Sequence, residues 1–189
     1  MPVTLCDSLL ANDIQGYNCT SPMTKGVNRT GVILNRSDIQ LDEVTKDLNM
    51  ITAMPLKTGK KGYQIVQGGK TPYNGSQQEM VEGTYQNTIN NTVQFAILNQ
   101  GDLTTAKVVD ALLNGEFVVV LTNNYSAAPD YSHQVYGLET GLHASAMVRE
   151  FYNDDTLAGW NVTLIEEGAG TATWYVADEV YATLTQAAQ

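Results

Sequence analysis

Apolar residues recur along this chain with two periods, one helical and one of two residues. The helical period is clearest from Asp102 to Asn114, where Leu103, Ala106, Val109, Ala111 and Leu113, flanked by Val108 and Leu112, make a broad apolar face. Asp102 is placed as an N-cap, its side chain accepting from free N–H groups of the first turn. Asn114-Gly115 is placed as the stop, because Gly tolerates the left-handed C-cap conformation. Glu116 to Thr122 follows as EFVVVLT, a continuous β-branched run that expects apolar cover on both faces. The spacing predicts a helix lying on a sheet with FVVVL as its central strand. Val109 and Leu113 would pack on that strand, with Val118 and Val120 in the core.

The two-residue period marks the strands. Val93, Phe95 and Ile97 alternate with Thr92, Gln94 and Ala96. Leu142, Ala144, Ala146 and Val148 alternate with His143, Ser145, Met147 and Arg149, up to an Asn153-Asp154-Asp155 turn. Trp160, Val162 and Leu164 form another alternating strand, ending at Glu166-Glu167-Gly168. Val32-Ile33-Leu34, Tyr63 to Gln67, His133 to Tyr136 and Thr171 to Ala177 read as shorter strands, and Asn90-Asn91 as a turn. Ser37 to Gln40 offers a capping box for a helix through Leu41, Val44 and Leu48, or else a loop leading to a strand from Asn49 to Leu56. The fold class expected is mainly β with one flanking helix, a β-sandwich or partly rolled barrel. Residues 1–30 read as an arm and 31–189 as one domain.

Gln77 to Leu98 stands apart. Its first half, Glu79 to Asn87, has strand character but little to bury. Glu79, Val81, Thr84, Tyr85, Asn87, Thr92 and Gln94 fit an extended hairpin whose partner is another subunit, and equally a solvated two-stranded ribbon.

Charge sharpens the picture. The net charge is −10, with +2 up to Lys70 and −12 from Thr71 onward, where Lys107 and Arg149 are the only basic residues. A nucleic-acid reader would carry a basic stripe, and none is present. No apolar run approaches the roughly twenty residues of a membrane span, and the N-terminus has no basic stretch before an apolar one, so no secretory signal is expected. Cys6 and Cys19 are the only cysteines, either paired or free, and their spacing is not that of a zinc site.

Candidate chemistry is sparse. Gly68-Gly69-Lys70-Thr71 is half a phosphate loop, but Gln64 stands where the first Gly belongs, and Pro72 follows instead of a helix. His133 and His143 lack a third ligand at close spacing and read as structural. Asp154-Asp155 and Glu166-Glu167 are acidic pairs at strand ends, outside any calcium-loop pattern. No nucleophile motif is present, so no cofactor, metal or enzymatic activity is expected. Exposed Tyr73, Tyr125 and Tyr131 on loops leave room for a monomeric binding module, for example for carbohydrate.

The order of motifs in the C-terminal two-thirds resembles the tail-tube-like virion structural proteins of tailed bacteriophages, most closely those of crAss-like and related gut phages. The polar strand Asn90 to Leu98 precedes the helix. FVVVLTNNY follows, then Tyr136-Gly137 and Gly141-Leu142 in a Tyr-Gly-x-x-x-Gly-Leu pattern, then Gly159-Trp160-Asn161-Val162-Thr163-Leu164. Cys6, Cys19, Gly26 and Ile33-Leu34-Asn35 add a weaker likeness at the front. The resemblance implies a β-sandwich with a flanking helix whose protruding hairpins join subunits into a ring around a DNA channel. It implies a homo-oligomer of about six or twelve subunits in the tail or head–tail connector of a virion, made in the host cytoplasm. Other tail, connector or portal-proximal proteins would be its partners, and genomic DNA would pass without specific binding. Together with the negative balance it points to Glu79, Glu82, Glu166 and Glu167 as channel-facing candidates.

Overall fold

The computed structural model describes residues 26–98, 101–124, 132–152 and 158–186. Cys6, Cys19, Tyr125, Tyr131 and Asn153-Asp154-Asp155 lie outside them. The strands in chain order are β1 (Val27–Asn35), β2 (Thr45–Asp47), β3 (Met50–Ala53), β4 (Tyr63–Val66), β5 (Gln77–Val81), β6 (Thr88–Ile97), β7 (Phe117–Asn123), β8 (His133–Tyr136), β9 (His143–Arg149), β10 (Trp160–Ala169) and β11 (Trp174–Val176). The helices are α1 (Leu103–Asn114) and α2 (Asp178–Thr183). One sheet has the order β2-β3-β11-β8-β7-β1-β4 and the other β5-β6-β10-β9. The fold is mainly β, and among the described residues it forms two open sheets with no closed barrel.

β7 explains the architecture. Phe117, Val119 and Leu121 point toward the small sheet, where they meet Val93, Phe95, Val162 and Leu164. Val118 and Val120, both fully buried, point the other way and pack with Val32, Leu34, Ile51, Val135 and Val176. That second face is covered by Ile39, Met54, Leu138 and Leu184, with Val180 and Tyr181 of α2 against it. A strand with apolar layers on both sides needs apolar residues at every position, which is why the run is continuous. Each such side chain contributes about 1.5–3 kcal/mol by leaving water.

α1 is capped by Asp102, whose carboxylate accepts from the Thr105 N–H at 2.8 Å and is held below the usual carboxylate range by that bond. The buried face differs from the one expected. Val109 and Leu112 are buried, whereas Leu113 is 53% exposed and Leu103 and Val108 also face solvent. The helix packs on β9 and does not lie across β7, so its contact stripe is narrow. Leu113, about 100° around the axis from Leu112, falls outside that stripe. Gly115 ends the helix with φ −91° and ψ 161°, extended and not left-handed. Its lack of a side chain matters for another reason: a Cβ there would sit 2.3 Å from the Phe117 ring.

Three further expectations change. Of the two readings of this stretch, the helix through Leu48 gives way to short 3-10 turns at Arg36–Asp38 and Leu41–Glu43, with Leu48 exposed at a φ of 52°, while the loop leading to a strand is met in part by β3. Asn90 and Asn91 lie within β6, not at a turn. In β9 the alternation is broken by a register shift opposite Thr163 and Leu164, so Ala144 and Met147 both approach the core.

Candidate assembly edge

β5 pairs with β6 from Gln77↔Thr92 to Val81↔Thr88 without a register shift, and among the described residues no other strand lies on its far side. All five of its residues are exposed. The connecting residues 82–87 are exposed as well, with Tyr85 fully so and Met80 and Val81 presenting apolar surface beside it. Of the residues expected at a subunit contact, Glu79, Val81, Thr84, Tyr85 and Asn87 are exposed, and Thr92 and Gln94 are half-buried in β6. The row of backbone groups along the outer side of β5 is an open template for another strand.

What holds this ribbon in place is polar. The Gln78 side-chain amide donates to Asn91 Oδ1 at 2.8 Å and to the Ala172 carbonyl, while its Oε1 accepts from Thr173 Oγ1 at 3.1 Å. Asn91 in turn donates to Glu166 Oε2 at 2.7 Å. Glu166 is 1% exposed, and its carboxylate also accepts from the backbone N–H of Gly137 at 2.8 Å and of Glu139 and Thr140 at 3.0 Å. Four donors, three of them on one turn, satisfy a carboxylate that has no cation partner among the described residues. A continuous chain of hydrogen bonds thus runs from the edge strand, through Asn91 and Glu166, to the turn after β8.

This placement overturns the expectation that Glu166 faces a channel. Trp160, Val162, Leu164 and Glu166 share the inward phase of β10, which continues to Ala169 instead of stopping before the acidic pair. The inward phase was visible in the alternation, but a carboxylate at a presumed strand end reads as solvated. Glu167, Glu79 and Glu82 are exposed.

The receiving turn depends on Gly137, whose φ is +85° and whose missing Cβ would lie 2.5 Å from the Phe117 carbonyl oxygen. Tyr136 and Leu142 on either side are buried, and Gly141 also has a positive φ. Glu139 extends the clamp: its own carboxylate accepts from Gly170 N–H at 2.7 Å and from Trp174 Nε1 at 2.9 Å. Partial burial opposes its charge, but these donors outweigh it and hold the carboxyl below its ordinary range.

No family model, curated protein or solved structure matches this chain.

The remaining candidates are structural in their surroundings. His133 stacks on Tyr181 with ring centroids 3.8 Å apart. Its Nδ1 lies 2.9 Å from Thr122 Oγ1 and its Nε2 3.1 Å from Asp178. Burial lowers its pKa against the pull of the Asp178 carboxylate, so the ring is neutral at pH 7, donating to Asp178 and accepting from Thr122. His143 is exposed on β9, and no cluster of three metal-ligating side chains occurs among the described residues. Tyr73, expected as an exposed loop aromatic, is 4% exposed. Its hydroxyl donates to the Ile65 carbonyl at 3.0 Å, and burial raises its pKa. It cannot serve as a platform for a stacked sugar. No described helix is long and apolar enough to cross a membrane.

Proposed function

We propose that this chain is a structural subunit that joins copies of itself into a ring by strand addition at β5, as a tail-tube-like component of a phage tail or head–tail connector. The observation that carries the reading is β5 itself: a regular edge strand with no buried residue, at the end of a ribbon braced by a buried polar network. Natural edges that must stay single are shortened, bulged or guarded by Lys or Pro. β2, one edge of the large sheet, is guarded: it has three residues, a register shift and Lys46, while β4, the other edge, is only four residues long and has one of them buried. β5 has none of these devices. The order of motifs from β6 to β10 supplies the tail-tube resemblance. The net charge of −12 after Lys70, with Glu79, Glu82 and Glu167 on the surface, suits a wall past which DNA moves without condensing. Each phosphate contact avoided removes one increment of salt-sensitive affinity.

Size exclusion with light scattering tests the reading. The intact chain should elute as a multiple of 20.6 kDa. A variant lacking Glu79 to Asn87 should elute as a folded monomer with an unchanged melting temperature. An intact chain that stays monomeric at high concentration, or a deletion variant that still forms rings, would refute it, and tight salt-sensitive binding of duplex DNA would refute the channel role.

A further inference from the structure

A second feature borders the segment that leads into β5, whose residues 69–76 help to line it. The start of β1, residues 69–76 and the ends of β7 and β8 enclose a cleft of about 800 Å³, within the roughly 300–1,000 Å³ of small-molecule sites. Asn123, Gln134 and Tyr136 line it, each more than nine-tenths buried. The Tyr136 hydroxyl donates to Gln134 Oε1 at 2.8 Å. Asn123 Oδ1 is buried and has no hydrogen-bond partner among the described residues. An orphaned acceptor costs the fold and calls for a reason. Arg29 and Lys70 stand at the cleft, neither in an ion pair, and no Asp or Glu lines it, among the described residues. In a chain of net charge −10, a cleft whose described lining has two cations and no carboxylate is a local inversion of sign.

We infer that this cleft binds a small polyhydroxylated ligand carrying one negative charge, of the class of an acidic sugar such as a hexuronate. A ligand hydroxyl would donate to Asn123 Oδ1, and the ligand carboxylate would sit between Arg29 and Lys70. Both chemistries are required together: hydroxyls alone leave the cations unmatched, and an anion alone leaves Asn123 unpaired. The site is independent of assembly at β5, and its occupancy does not require a ring.

The probes are D-glucuronate, D-glucose and acetate, titrated into the full chain and followed by ligand-observed NMR and calorimetry. Glucuronate should bind at least about tenfold more tightly than either partial probe. Arg29→Gln and Lys70→Gln, both at exposed positions, should each weaken it by about tenfold. Asn123→Leu should abolish binding while leaving the melting temperature equal or higher, because it removes an unpaired polar group from the interior. Absence of glucuronate binding, equal binding of acetate, or indifference to the Arg29 and Lys70 changes would overturn the inference. A fall in melting temperature for Asn123→Leu would assign Asn123 to the fold and overturn its role as the waiting acceptor.

Discussion

β7 and β5 are the two extremes of this molecule. In β7 six of seven residues are buried, and every side chain faces a packed layer. In β5 no residue is buried, and the strand is tied down by Gln78 and its ladder with β6. The folded chain dictates the sequence of β7 and leaves β5 nearly unconstrained, so β5 is where the sequence is free to answer to something outside the chain. The contrast separates what holds the fold together from what the proposed assembly would use.

The sharpest way to break the comparison is to place the same carboxylate in both strands. Val118→Asp buries an unpaired charge between two layers and should cost about 4 kcal/mol or more, enough to abolish folding. Val81→Asp should stay within about 0.5 kcal/mol. Urea unfolding curves for the two decide it, and similar midpoints would mean that β7 is not the centre of the core. The helix offers the same contrast one residue apart. Leu112→Asp should cost about 3–4 kcal/mol and Leu113→Asp less than about 1 kcal/mol. The reverse order would restore the packing first expected for Leu113.

Glu166 links the two regions. Replacing it with Leu leaves the Asn91 amide and three backbone N–H groups without their acceptor, at about 1 kcal/mol or more for each. Beyond lower stability, amide exchange should quicken across the β5–β6 ribbon while β7 stays protected. Uniform loosening of both would mean that Glu166 does not specifically brace the edge. The smallest effect concerns His133. Its pKa is lowered from 6.5 on folding, so the unfolded chain takes up the proton first. Stability from this site is therefore full above pH 6.5 and declines as the pH falls through the folded value. His133→Gln should flatten the melting temperature between pH 7 and pH 5, and an unchanged slope would show that another group dominates there.

Much of the frame was legible because local signals agreed with the fold. Asp102 caps the helix, FVVVL is covered on both faces, and Gly137 occupies a turn with positive φ. What escaped was set by partners distant in sequence. The phase of α1 depends on its packing against β9, which leaves only Val109 and Leu112 buried on the helix, and a broad apolar face does not reveal which part will be covered. The bulge in β9 is visible only in its pairing with β10. Glu166 had the clue of parity with Trp160, Val162 and Leu164, but only the turn from Gly137 to Thr140 makes a carboxylate acceptable there. Tyr73 sits in a loop of turn residues, yet the Ile65 carbonyl and the space beside Gly31 draw its ring inward.

The position of β11 sets the order in which the molecule is completed. It lies between β3 and β8, pairing parallel with one through Tyr175↔Met50 and antiparallel with the other through Trp174↔Val135. Until it arrives, the β2–β3 hairpin has no strand joining it to the rest of its sheet, and Val176 and Leu184 are missing from the layer behind β7. A chain emerging from the ribosome makes β5 and β6 early, but their brace through Gln78, Asn91 and Glu166 and the seal behind β7 both wait for residues that follow β9. Synthesis itself acts as a clock: both sheets are locked only after β10 and β11 have been made.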